Sequence, residues 1–92
     1  MRLRWTTPAI DDLTQICDFT RERFGEAQAR RAAIGLYEAA DSLKAMPQRG
    51  RKGRKAGTRE IIASNLPFII VYRVGQDAVE ILRILHGARQ WP

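Results

Sequence analysis

A chain of 92 residues, 45% hydrophobic and 28% charged, has room for one core and buries about two-thirds of its unfolded surface, so a single domain over residues 1–92 is expected. The lone Cys17 excludes an internal disulfide framework, and the sequence offers no ligand pairs at metal-binding spacing, so neither metal nor other cofactor is expected. The longest apolar run is Phe68–Tyr72, and Asp11 and Asp12 arrive before any signal-length stretch; the expectation is a cytoplasmic protein with no membrane partner.

Leu3-Arg4-Trp5-Thr6 alternates apolar and polar side chains and predicts a short strand at a sheet edge, with Trp5 in the core. Thr7-Pro8 predicts a helix start, with Thr7 as N-cap, Pro8 in the first helical position, and Asp11 and Asp12 near the positive end of the helix dipole. Ala9, Leu13, Ile16, Cys17, Thr20 and Phe24 then fall on one stripe, while Asp12, Gln15, Asp18 and Arg21 are read as facing away. Gly25 closes that helix. A second opens at Glu26 and places Ala29, Ala32, Ala33, Leu36, Tyr37, Ala40 and Leu43 on one face before stopping at Pro47. The alanines and the short connection predict a helical hairpin whose apolar stripe needs a sheet to cover it.

Net charge is +6, and Arg49, Arg51, Lys52, Arg54, Lys55 and Arg59 lie between Gln48 and Arg59 with no acid among them. The rest of the chain is therefore neutral, and the excess reads as a local docking site for a polyanion or an acidic protein segment. Residues 48–57, with their three glycines and no periodicity, read as a mobile loop.

Three β-branched runs follow, Thr58–Ala63, Phe68–Val74 and Val79–Leu85, separated by Asn65-Leu66-Pro67 and Gly75-Gln76-Asp77. Turns this short predict an antiparallel meander. The second and third runs carry apolar residues on both alternating faces: Phe68, Ile70 and Tyr72 against Ile69 and Val71, then Val79 and Ile81 against Leu82 and Ile84. They are expected in the middle of the sheet. The fold class is therefore α+β, ordered β-α-α-β-β-β, with the helical hairpin on one face of a small antiparallel four-strand sheet.

The wording of the chain resembles the RelE/ParE superfamily of toxins from bacterial type II toxin–antitoxin, or plasmid-stabilisation, modules. The resemblance rests on Trp5, Ala9, Asp12 and Leu13; on Leu43, Pro47, Gly50 and Arg51; on Gly57 to Glu60; on Val71 to Val74; and on Ile81 to Arg89. It implies growth arrest, neutralisation by an acidic antitoxin that folds on binding, and one of two targets. RelE-like members cut messenger RNA in the ribosomal A site, whereas ParE-like members poison DNA gyrase.

A metal-free ribonuclease needs an acid/base pair and a cationic clamp converging on the scissile phosphate. The resemblance assigns that work in the RelE-like branch to strand cations, an arginine after the last strand and a tyrosine or histidine near the C-terminus. Aligned on Val71-Tyr72, the chain carries Ile69 where that branch has an arginine, and Glu60 and Ile62 where it has lysines. Arg89 matches the late arginine, and Pro92 stands short of the terminal tyrosine. The resemblance therefore leans to the ParE-like branch; a basic nucleic-acid-binding module, which would lack both a recognition helix and a stacking platform, ranks last.

For a ribonuclease the candidate catalytic residues are Arg83, His86 and Arg89. For target or antitoxin binding they are Arg49, Arg51, Lys52, Arg54, Lys55, Arg59, Arg73 and Trp91, the last also readable as a plug packing the tail on the sheet. His86 reads either as a general acid/base or as a strand-end cap bonded to backbone. Arg73 and Arg83 either line a phosphate groove or pair with Glu60 or Glu80 across the sheet.

Overall fold

A computed structural model describes residues 1–63 and 66–87. Strand β1 (Arg2–Trp5) leads into helix α1 (Thr7–Phe24), and the cap is Thr6, one residue before the expected Thr7. Thr6 is extended, its Oγ1 accepts the Ala9 N–H at 3.3 Å, and it donates to the Ile81 carbonyl at 2.8 Å. Either threonine satisfies the capping chemistry. The tertiary bond to Ile81 decides between them.

Gly25, at φ 91°, gives its N–H to the Arg21 carbonyl at 3.0 Å and ends α1; helix α2 (Glu26–Asp41) begins at the next residue. The expected helical hairpin is present. Ala29, Ala32, Leu36 and Ala40 are buried on its inner face, and Leu43 follows in a 3-10 turn over Ser42–Lys44. Tyr37 is 54% exposed but tilts against Trp5 at 5.4 Å between centroids, and Trp5 packs on the core.

The sheet differs from the expected one in two respects. It holds five strands, β2 (Arg51–Lys52), β3 (Arg59–Ile62), β4 (Phe68–Val74) and β5 (Ala78–His86) joining β1 in the order β1-β5-β4-β3-β2. It is also mixed, because β1 runs parallel to β5, with Arg2 opposite Ala78 and Trp5 opposite Ile81. A parallel pair needs a long crossover, here the hairpin and everything up to β5, so no local turn announces it. β4 and β5 are interior, as expected, and β1 takes an edge. The other edge is β2, inside the stretch read as a loop: Arg51 pairs Glu60 and Lys52 pairs Arg59.

A register shift between Val71 and Tyr72 sets Val71 opposite Arg83 and Tyr72 opposite Ile81, leaving Leu82 as the extra residue of a bulge. Strict alternation forbids Ile81 and Ile84 from sharing a face. The bulge permits it: both join the core under the helices with Leu13, Leu36, Ile70 and Tyr72. Leu82 packs with Ile69, Val71 and Leu85 on the opposite face, so the expected pairing of Leu82 with Ile84 is corrected.

Asp12 is the other correction. It does not face away from the core but is buried, and it bonds β5. The spacing held the signal, because Asp12 lies three residues after Ala9 and four before Ile16, within the apolar stripe. Phe24, placed on that stripe, is 65% exposed.

Candidate functional site

Two candidate surfaces lie at opposite ends of β4, which spans about 20 Å from Phe68 to Val74 at the usual strand rise. The first is basic and is built by residues 48–59. Tyr72, fully buried, anchors it by accepting the Gly50 N–H at 2.9 Å and donating to the Pro47 carbonyl at 2.8 Å. Gly53 gives its N–H to the Thr58 carbonyl at 2.8 Å, and Thr58 Oγ1 donates to the Lys55 carbonyl at 2.6 Å. A Cβ at Gly53 would overlap Thr58 Oγ1, and one at Gly50 would collide with the Tyr72 hydroxyl. Those two glycines serve close packing, and the segment is a structured corner of the sheet.

Its cations divide into two groups. Glu60, 3% exposed, receives Arg51 and Arg54 at 3.4 Å each and the Arg54 backbone N–H at 3.0 Å. Arg49 donates to Ser42 Oγ at 2.6 Å, and Arg59 to the Gly50 carbonyl at 2.7 Å; both are thereby held by neutral acceptors, with no acid paired to them among the described residues. Lys52, Lys55 and Arg59 line a pocket of about 450 Å³ with Gln48, Gly57 and Val74, and no acid stands in its lining.

The second surface is an apolar groove of about 530 Å³ between the helical hairpin and the far end of the sheet, lined by Phe19, Phe24, Leu66, Phe68, Arg31 and His86 among others. Phe19 is 54% exposed, and Arg23 stands over its ring at 4.9 Å. His86, at the end of β5 and exposed, meets Phe68 edge-on at 6.0 Å.

Of the remaining candidates, Arg73 and Arg83 are described, and each is held in an ion pair. Arg83 is gripped by Asp12, Nε to Oδ2 at 2.7 Å and Nη2 to Oδ1 at 3.0 Å, and Oδ2 also accepts the Ile84 N–H at 2.9 Å. Hydrogen bonding to Asp12 raises the Arg83 pKa further above the ordinary arginine value. Asp12 thus stands in for the missing neighbour strand where β1 has ended, and its partner is neither Glu60 nor Glu80 as expected. Arg73 does pair with Glu80, at 2.7 Å, and Glu80 also engages Arg4. Arg83 and His86 are three strand positions apart, about 10 Å. Arg89 and Trp91 lie outside the described residues. Among the described residues no group of three His, Cys, Asp or Glu side chains is placed to hold a metal, and no helix is long and apolar enough to cross a membrane.

A helical hairpin on a five-strand mixed sheet is the architecture of the RelE/ParE toxins, and the comparisons place the chain within them. It is 41% identical over 92 residues to Y4kP of Sinorhizobium fredii, named as a toxin, across 99% of this chain and 93% of that one. It is 42% identical over 85 residues to Toxin RelE2 of Caulobacter vibrioides, across 92% and 93%. Among solved structures, a chain of the chromosomal ParDE system of P. aeruginosa superposes with TM-score 0.85 at 30% identity, covering 91% of this chain and 92% of that one. A chain of the RelBE2 toxin–antitoxin complex of Mycobacterium tuberculosis superposes with TM-score 0.67 at 26% identity, covering 92% and 95%. Residues 3–91 match the family described as the ParE toxin of the type II toxin–antitoxin system parDE, and the chain belongs to that family.

Proposed function

We propose that this toxin arrests growth by binding DNA gyrase without covalent chemistry of its own, and that in the cytoplasm a cognate antitoxin keeps it silent. The observation that carries this reading is the occupancy of its strand cations. Arg83 is bidentate to Asp12, and Glu60, at a position where a ribonuclease would hold a lysine, is itself buried beneath Arg51 and Arg54. Ile69 is buried and Ile62 exposed where the other two cations would be. A clamp for a pentavalent phosphate needs free donors converging on the acid/base within hydrogen-bond reach; Arg73 and Arg83 are tied to carboxylates, and Lys52 and Arg59 stand at the opposite end of β4 from His86.

The apolar groove supports the antitoxin half of the reading. The solved ParDE and RelBE2 relatives come from toxin–antitoxin systems, and exposed Phe19 and Phe24 above Leu66 and Phe68 form the anchor pocket an amphipathic segment requires. An acidic segment would also meet Arg31 at the groove rim.

Ribosome-dependent cleavage of messenger RNA is the second reading, favoured by exposed His86 at a strand end and by the relative named RelE2. Supercoiling by purified gyrase, run beside A-site cleavage of a defined message on purified ribosomes, separates the two. The expected result is inhibited supercoiling with intact message, and no drop on the order of a hundredfold for His86→Ala. Site-specific cleavage abolished by His86→Ala, with gyrase unaffected, would install the ribonuclease reading.

A further inference from the structure

We infer that the pocket formed by Lys52, Lys55 and Arg59 is a seat for the phosphodiester backbone of a nucleic acid, distinct from the groove that takes a protein partner. The inference goes beyond the choice of target and does not depend on it.

Three observations carry it. First, the pocket concentrates positive charge with no acid among its lining residues. The two arginines nearest an acid, Arg51 and Arg54, are turned to Glu60, whereas no acid lines the wall that holds Lys52, Lys55 and Arg59. Second, the backbone of the seat and one of its cations are in place before any ligand arrives. Arg59 is steadied by the Gly50 carbonyl at 2.7 Å, and the turn carrying Lys55 is closed by the Thr58 N–H to the Lys55 carbonyl at 3.1 Å. Gly57, at φ 81°, has open space where a Cβ would stand, so an anion can approach the backbone there as closely as it approaches the side chains. Arg59, held by the fold, needs less ordering on binding than a free surface cation, and the closed turn fixes where the Lys55 side chain starts.

Third, the lining is wrong for a peptide. Docking a protein segment depends on apolar anchors in desolvated pockets, and the only apolar side chains here are Ala56 and Val74. The aromatic anchors are at the other end of β4, around Phe19, Phe24 and Phe68. Phosphate recognition needs no such anchor, because it rests on charge neutralisation and counterion release. A backbone seat of this kind reads no sequence, and it would hold the toxin on nucleic acid while the rest of its surface engages a protein target.

The test uses the full chain and a fluorescein-labelled 20-base-pair DNA duplex, titrated by anisotropy from 50 to 200 mM salt. Lys52→Ser with Lys55→Ser should weaken binding about tenfold near the upper end of that range and flatten the slope of log K against log salt by about 1.8, two phosphate contacts' worth. Arg2→Ser with Arg30→Ser, an equal loss of exposed charge outside the pocket lining, should leave the slope within a fraction of one contact. Circular dichroism confirms folding of each variant. Equal weakening by both pairs would reduce the site to diffuse charge and overturn the inference, as would absence of duplex binding at 50 mM salt. A poly-glutamate peptide bound as tightly as the duplex, and lost with the same lysines, would overturn it in favour of an acidic protein ligand.

Discussion

Asp12 and Glu60 are two buried carboxylates that use one device at opposite edges of the sheet, and they differ in how completely it closes. Each accepts a backbone N–H, that of Ile84 at 2.9 Å or Arg54 at 3.0 Å, and each faces arginine. Asp12 takes one guanidinium in a two-point fork at 2.7 and 3.0 Å. Glu60 divides itself between Arg51 and Arg54, both at 3.4 Å, and Arg51 is 62% exposed. Fork geometry makes the first pair a tie between α1 and β5. The second holds a loop in place, and with one acid beneath many cations it leaves that corner positively charged. The same chemistry therefore serves stability at one edge and a charged surface at the other.

Breaking the Asp12 corner has the largest expected effect. Asp12→Ala leaves Arg83 and the Ile84 N–H without their acceptor, and loss of one partner of a buried pair costs about 3 kcal/mol. Urea unfolding measures it. A loss below about 1 kcal/mol, the range of surface ion pairs, would mean that the fork contributes no more than an exposed contact. Arg83→Ala should be milder, because Asp12 keeps the Ile84 N–H.

At the Glu60 corner, Gly53→Ala probes packing and Glu60→Gln probes charge. A methyl at Gly53 must displace Thr58, and overpacking of that kind costs about 2 kcal/mol. An unchanged midpoint would show that the corner yields freely. Glu60→Gln keeps an acceptor for the Arg54 N–H and should cost about 1 kcal/mol. It should also strengthen duplex binding, since the one acid among the basic side chains is gone. Weaker duplex binding in the folded variant would mean that Glu60 matters by positioning the pocket rather than by offsetting its charge.

How much of this was legible follows from where each constraint lives. The meander could be read because Phe68–Val74 is closed at both ends by turn residues, and short turns determine pairing locally. The basic surface could be read because Arg49 to Arg59 contains no acid. Glu60, one position beyond, is the residue that ties two of those cations. β1 against β5 was not legible in its direction, since no turn joins them. Asp12 stood inside an apolar stripe opposite a lone arginine in an apolar strand, and only tertiary packing joins residues 71 apart. The bulge at Leu82 moved Ile84 to the helix face, against the alternation that a run of apolar residues implies.

The smallest expected effect is the lack of an alkaline response at the Asp12 corner. The Arg83 pKa is raised above the ordinary arginine value, first by its hydrogen bond to Asp12. A cation whose folded pKa lies above its unfolded value contributes stability that is fully present below the unfolded pKa and is lost only as pH rises through the folded one. The window for that loss begins above the ordinary arginine value, so the stability difference between wild type and Asp12→Ala should be the same at pH 7 and pH 10. Arg83→Lys removes both the fork and the margin, because lysine ordinarily titrates at about 10.4. In that variant the contribution of the pair should decline as pH approaches 10 while wild type stays flat. A decline in wild type over the same interval would mean that the guanidinium at Asp12 is not what holds this edge of the sheet.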